Sequence, residues 1–200
     1  MKVSPLPDPA ILEKITELLT SQGWAVIENF VPRVVITQLA QETRQQELRR
    51  AGVGKPRTVN NDIRGDHILW LDSSNSSKLQ QAYLKLTEHL RLALNRDMRL
   101  GLFEFEGHLA HYPVGAFYRK HLDSFQQDNR RVLSSVLYLN QDWQAEHGGQ
   151  LRMHLNTDKH VDVLPQGGTL VLFFSDQFWH EVLPATRDRL SITGWFKSRS

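Results

Sequence analysis

From Leu102 to Phe196 the chain breaks into short apolar runs closed by turn residues: LFEFEGHLAHYP, RVLSSVLYLN, GQLRMHL, KHVDVLP, GTLVLFF, HEVLP and RLSITGWF. Runs of this length, several of them alternating with period two, read as strands, and their close spacing is that of a sandwich or barrel. The run LVLFF is apolar throughout, as a strand covered on both faces must be. Upstream the texture is helical. In DPAILEKITELLTSQGW, Asp8 is the candidate N-cap, Pro9 the first helical residue and Gly23 the stop, with Ile11, Ile15, Leu18 and Leu19 on one face. WAVIENF reads as a strand, and PRVVITQLAQETRQQELRRAG as a second helix stopped by Gly52. The polar stretch VGKPRTVNND leads into IRGDHILWLD, and a third helix lies in SSKLQQAYLKLTEHLRLALNRD, with Leu79, Tyr83, Leu86, Leu90 and Leu94 on its buried side. The expectation is an α+β protein: one domain over 1–200, in which 1–100 is mainly helical support and 101–200 an antiparallel double sheet.

The sequence contains no cysteine. Disulfides and thiolate sites are therefore excluded, and any metal is held by nitrogen and oxygen. Basic and acidic residues nearly balance at 24 and 22, and the basic clusters RQQELRR and DNRR are short and diluted, which argues against nucleic acid. They read as a solvated helix face and a loop. No apolar run approaches a membrane span, and MKVSPLPDPA lacks the apolar core of a signal peptide. A cytoplasmic monomer with no membrane partner is expected.

Nine histidines are spread along the chain, so a His-x-Asp triplet decides little by itself. His121 and Asp123 in YRKHLDSF form one, and on a strand residues i and i+2 share a face, so the two can converge on one ion. His180, in FFSDQFWHEVLP, follows enough strands to return across the sheets as a third ligand. Two histidines and one carboxylate on one side of a metal leave the opposite positions open, the pattern of non-haem Fe(II) oxygenases. Zinc suits this ligand set less well. Arg189 follows His180 after a segment, EVLPATRD, whose Pro and Asp suit a turn. Adjacent antiparallel strands are expected for the two residues, with Arg189 aimed into the same pocket. A buried guanidinium there calls for a carboxylate, because its fork of donors meets both oxygens at once. The second triplet, His160 to Asp162, has too little chain before His180 for the crossing and reads as an exposed strand face. His67, His89, His108, His111, His147 and His154 have no partner at ligand spacing.

HYPVGAFYRKHLDSF, RRVLSSVLYLNQDW, HGGQLRMHL and LVLFFSDQFWHEVLPATRDRLSITGWF, with IRGD followed by a tryptophan, together resemble the 2-oxoglutarate- and Fe(II)-dependent prolyl hydroxylases. The likeness is to the branch of the hypoxia-inducible-factor prolyl hydroxylases and their bacterial relatives, and it runs from about Asp62 to Phe196. It implies a double-stranded β-helix, or jelly roll, with Fe(II) held by His121, Asp123 and His180. It further implies that Arg189 and Tyr138 hold the distal carboxylate of 2-oxoglutarate, with Tyr112 near the metal and Thr193 lining the cosubstrate pocket. Asp62 and Arg131 match an acid and a base that pair near the substrate mouth, and Tyr118 and Trp195 match walls of the substrate pocket. Two departures stand out. The stretch between Tyr112 and His121 is one residue shorter than in the animal enzymes, and His108 replaces an apolar pocket residue.

The implied activity is hydroxylation of a prolyl residue in a protein substrate, giving succinate and carbon dioxide, with ascorbate as a further ligand. Elongation factor Tu, the target of bacterial relatives, is one candidate substrate, presented as an exposed prolyl loop. The same cofactors acting on another amino acid, a small molecule or a nucleic acid base is the alternative enzyme reading. A noncatalytic metal-binding jelly roll is the third, and it leaves no evident use for Arg189.

Overall fold

The computed structural model describes residues 7–52, 62–72, 74–124 and 130–199. Most of the polar stretch VGKPRTVNND, and Asp128 and Asn129 of the DNRR cluster, lie outside them. Helix α1 (Pro9–Gln22) starts where Asp8 accepts a hydrogen bond from the Ala10 amide and ends at Gly23, whose φ of 83° suits a residue without a side chain. Strand β1 (Trp24–Ile27) and helix α2 (Arg33–Gln45) follow. Helix α3 (Lys78–Met98) opens on a capping box of Ser77 and Gln80, and Ser77 Oγ also donates to Glu42 at 2.6 Å, tying α3 to α2.

The expected second helix is too long. Gln46 is already extended (φ −92°, ψ 148°), and Arg49–Arg50 forms a short strand, β2, on the edge of β3 (His67–Trp70). Helical periodicity persists through this segment, but main-chain pairing with Ile68 and His67 decides its conformation. The remaining strands are β4 (Leu102–Tyr112), β5 (Tyr118–His121), β6 (Arg131–Tyr138), β7 (Leu151–His154), β8 (His160–Val163), β9 (Leu170–Phe174), β10 (Trp179–Val182) and β11 (Arg189–Ser198).

They form two antiparallel sheets, a major one ordered β1-β9-β6-β11-β4-β3-β2 and a minor one ordered β5-β10-β7-β8, consistent with a jelly roll. The first hundred residues thus supply strands to both edges of the major sheet as well as helices. Alternation along each major-sheet strand sorts its residues into two cores. Leu109, Leu133, Leu137, Leu172, Ile192 and Phe196 face the helices, packing with Ile15, Leu19, Leu86 and Leu90. Ala110, Tyr112, Val136, Tyr138, Val171 and Phe173 face the minor sheet, packing with Leu151, Met153 and Val182. Strand β9 is covered on both sides, as its uninterrupted apolar run requires. Among the described residues no helix is long and apolar enough to cross a membrane.

Candidate active site

The site lies between the sheets, where the inward residues of the major sheet turn polar. His180 stands on β10 in the interior of the minor sheet, and its register partner on β5 is His121. Asp123 lies two residues further on, past the last residue of β5, so it reaches the histidines from a bend rather than from the strand face assumed from its i, i+2 spacing. The ligand-type atoms of His121, Asp123 and His180 lie within 4.8 Å of one another, the one such group among the described residues. Nε2 of His121 is 3.6 Å and Nε2 of His180 is 3.5 Å from the Asp123 carboxylate.

Each imidazole is aimed by its other nitrogen. Nδ1 of His121 meets the Arg119 carbonyl at 2.7 Å and Nδ1 of His180 meets the Phe178 carbonyl at 3.0 Å, so both rings donate to the backbone and turn Nε2 inward. Ser134 Oγ donates to Asp123 Oδ2 at 2.7 Å and lies 2.9 Å from Ser175 Oγ. Burial opposes ionisation of Asp123, but His180, His121 and the Ser134 hydroxyl outweigh it and hold the carboxyl well below the usual carboxylate range. Burial drives His180 down to about 4 against the pull of Asp123, so this imidazole is neutral at physiological pH. Two imidazoles and one carboxylate, held short of contact, fit a divalent ion such as Fe(II).

Arg189 is 2% exposed. It does not neighbour His180 in one sheet, as the turn between them had suggested. The intervening segment crosses from β10 in the minor sheet to β11 in the major one, so Arg189 faces the cleft from the opposite wall. Its Nε donates to the Gly149 carbonyl at 2.9 Å, and its guanidinium carbon lies 5.1 Å and 5.0 Å from the rings of Tyr112 and Tyr138. Gly149 has a φ of 71° and would press a Cβ to 3.0 Å from that of Ala185, so the glycine permits this close approach. No carboxylate among the described residues pairs with the guanidinium fork, and the Tyr138 hydroxyl is buried without a hydrogen-bond partner. Burial pushes that phenol up to about 12, and Arg189 tempers the rise, so it remains a donor. A buried cation with free donors beside an orphaned hydroxyl fits the far carboxylate of 2-oxoglutarate.

Cross-strand register orders the rest. Thr193 lies between His108 and Val136, one step from Ser191, whose hydroxyl is 3.3 Å from its own. Trp195 lies between Glu106 and Ser134, the residue that grips Asp123, and its indole packs beside His108 and Trp70, with ring centroids 5.6 and 6.2 Å away. Arg131 covers Trp195, its guanidinium carbon 3.5 Å from the ring centroid. The carboxylate that holds this arginine is Glu106, at 3.0 and 2.9 Å, which also receives Lys197 at 3.2 Å. Asp62, the partner the resemblance implied, is exposed on the turn before Ile63, where its carbonyl accepts from Arg119. Tyr118 stacks on His121 at 3.6 Å. The triplet His160–Asp162 is on the exposed face of β8, with Asp162 paired to Arg152 at 2.7 Å. Glu106, Ser134 and Gly149 were not singled out from sequence. Their signals are faint: a serine pair in an apolar strand, a double glycine, and a glutamate in an alternating run.

His108 is buried between Trp70 and Trp195, with ring centroids 5.1 and 5.6 Å away, and burial lowers its pKa to about 4. Below pH 6.5 the unfolded chain takes up a proton here that the folded chain refuses until about pH 4, so stability falls across that window and is level above it. Replacing His108 by Met is expected to recover about 2–3 kcal/mol at pH 4 relative to pH 7, read from urea midpoints at the two values.

A jelly roll that presents two imidazoles and a carboxylate opposite a buried arginine, which no carboxylate among the described residues pairs, defines the class of 2-oxoglutarate- and Fe(II)-dependent oxygenases. Residues 107–197 match the family model of the 2OG-Fe(II) oxygenase superfamily. The fold superposes on a Pseudomonas putida prolyl-4-hydroxylase with a TM-score of 0.87 at 45% identity, covering 94% of this chain and 100% of that one. It also superposes on a Trichoplax adhaerens prolyl hydroxylase, solved with a hypoxia-inducible-factor peptide, with a TM-score of 0.84 at 26% identity over 94% and 90% of the two chains. A Caenorhabditis elegans hypoxia-inducible factor prolyl hydroxylase is 30% identical over 95% of this chain and 28% of its own length. The chain belongs to the prolyl hydroxylase family of this superfamily, and it spans less than two thirds of the length of the curated relatives it matches.

Proposed function

We propose that the chain is an Fe(II)- and 2-oxoglutarate-dependent dioxygenase that hydroxylates a prolyl residue in a protein. The observation that carries this reading is the pairing of the His121–Asp123–His180 cluster with the buried, carboxylate-free fork of Arg189 across one cleft. In it, His121 and His180 bind the metal through Nε2 and Asp123 through its carboxylate, while Ser134 keeps that carboxylate turned inward. The Arg189 fork and the Tyr138 hydroxyl hold the distal carboxylate of 2-oxoglutarate, with Tyr112 and Thr193 along its length. When bound, iron and 2-oxoglutarate supply the oxidising chemistry, in which dioxygen is consumed, succinate and carbon dioxide are released and one oxygen enters a C–H bond. The protein orients the reactants and keeps the cleft dry, and no side chain has to act as general base.

Trp195, Tyr118, Arg131 and Asp62 form the substrate side. The Trp195 indole nitrogen is buried without a partner beside the Arg131 guanidinium. The flat aromatic wall suits a pyrrolidine ring. This favours a prolyl loop over a free amino acid or a base. Elongation factor Tu is the first target to test, in the cytoplasm, with ascorbate as an accessory ligand. The purified chain, supplied with Fe(II), 2-oxoglutarate, oxygen and candidate proteins, is expected to form succinate and to add one oxygen to a proline, read by mass spectrometry. Oxygen appearing on a small molecule or another residue type would transfer the function to the alternative substrate class. Metal binding with no 2-oxoglutarate consumed would leave a noncatalytic metal-binding domain.

A further inference from the structure

His121 and His180 are held by unequal means. His180 lies in the interior of the minor sheet with 6% of its side chain exposed, edge-on to Phe173 at 4.8 Å. His121 closes the edge strand β5, with 14% exposed. The His180 ring packs against it at 4.2 Å, and Tyr118 stacks on it, with the ring 3.6 Å away and tilted by only 18°. Residues three apart on a regular strand point to opposite faces, so the stack needs an irregularity. The pairing with β10 provides it: His180 opposes His121 and Val182 opposes Tyr118, leaving one extra residue on β5, a bulge that brings both rings to one side.

The phenol ring is in turn held by Arg64, whose guanidinium carbon lies 4.3 Å from its centroid. Arg64 donates twice to Asp66, Nε at 2.6 Å and one terminal nitrogen at 2.5 Å, and the side chains are 12% and 0% exposed. Burying such a pair is unfavourable unless its geometry serves a purpose, and an Arg fork is rigid enough to place a flat cation on a ring. The backbone of the same residues fixes the register. Arg64 bridges to Tyr118, the Gly65 amide donates to the Phe117 carbonyl at 3.0 Å, and the Arg119 amide donates to the Ile63 carbonyl at 2.9 Å. Residues 63–66 therefore strap β5 to the start of β3 in the other sheet.

We propose that Arg64, locked by Asp66, is a positioning residue of the metal centre: it holds Tyr118 against His121 and so fixes the plane in which the Nε2 of that histidine meets the ion. The inference deepens the functional reading above and rests on its metal site, though not on the identity of the substrate. Partners that orient a metal-ligating imidazole are worth about 10- to 100-fold in metal affinity. The test is titration of Co(II) into the full chain without 2-oxoglutarate or peptide, reading affinity and the visible absorption of the bound ion. Arg64→Met and Tyr118→Leu are each expected to weaken Co(II) binding about tenfold or more and to alter the absorption bands, while Tyr118→Phe, which keeps the ring, stays near wild type. Asp162→Asn, which breaks an exposed ion pair on the outer face, controls for general loosening. Should Arg64→Met not fold, Arg64→Lys decides in its place, since lysine keeps the charge but loses the fork. A folded Arg64 variant that binds Co(II) with wild-type affinity and spectrum overturns the proposal. No prolyl substrate enters the experiment, so failure of the hydroxylation reading leaves this result standing; a wild-type chain that binds no Co(II) ends both.

Discussion

His180→Ala protein is expected to consume no 2-oxoglutarate above the metal-free background while remaining folded. The physical reason is the shortage of donors. The cluster offers one atom each from His121, Asp123 and His180, and no other His, Asp or Glu among the described residues joins it. Losing one of three leaves two donors and a void, and the chelate loses far more than the 10- to 100-fold typical of an outer partner. Folding is expected to survive. The His180 side chain is buried, but it belongs to neither apolar cluster, so both cores stay intact. Succinate formation with saturating Fe(II), together with calorimetric metal titration, measures the effect. Turnover comparable to wild type in the His180→Ala protein would remove the metal assignment and the function built on it.

The second large effect concerns Arg189→Ala, which is expected to raise the 2-oxoglutarate KM steeply while leaving metal affinity close to wild type. Truncating one partner of a buried, hydrogen-bonded charge pair costs about 2–5 kcal/mol. That corresponds to roughly 30-fold to several-thousand-fold in affinity. Arg189→Lys should recover little, because a point charge cannot make the two parallel bonds of the fork or keep the Gly149 carbonyl bond in the same geometry. An unchanged KM would mean that the cosubstrate carboxylate sits elsewhere in the cleft. A parallel fall in metal affinity would mean instead that Arg189 supports the sheet wall rather than the ligand.

Much of the framework is legible as local pattern. Asp8, Pro9 and Gly23 bound the first helix because capping depends only on neighbouring backbone groups. The strand runs from Leu102 onward are set by alternation and turn residues, and β9 reads as doubly covered because each of its side chains is apolar. Errors begin where a partner decides. Arg49 and Arg50 continue a helical pattern but join β3, and Asp123 reaches the histidines from beyond the strand that was to carry it. The segment after Val182 suits a hairpin, yet it changes sheets, placing His180 and Arg189 on facing walls. Glu106 grips Arg131, because β4 and β6 flank β11 in register, a fact that no spacing along the chain encodes.

By itself, then, the order of residues determined which segments become helix or strand, which side chains can ligate an ion without sulfur, and that a cation must meet a carboxylate. Only the tertiary structure decided that two sheets bring His121, Asp123 and His180 within 4.8 Å, leave Arg189 and Tyr138 with unspent donors, and brace Tyr118 with a part-buried arginine. The division is physical. Periodicity and caps act over a few residues, whereas strand order, bulges and sheet crossing arise from pairing between segments far apart in the chain, where small differences in burial select one arrangement.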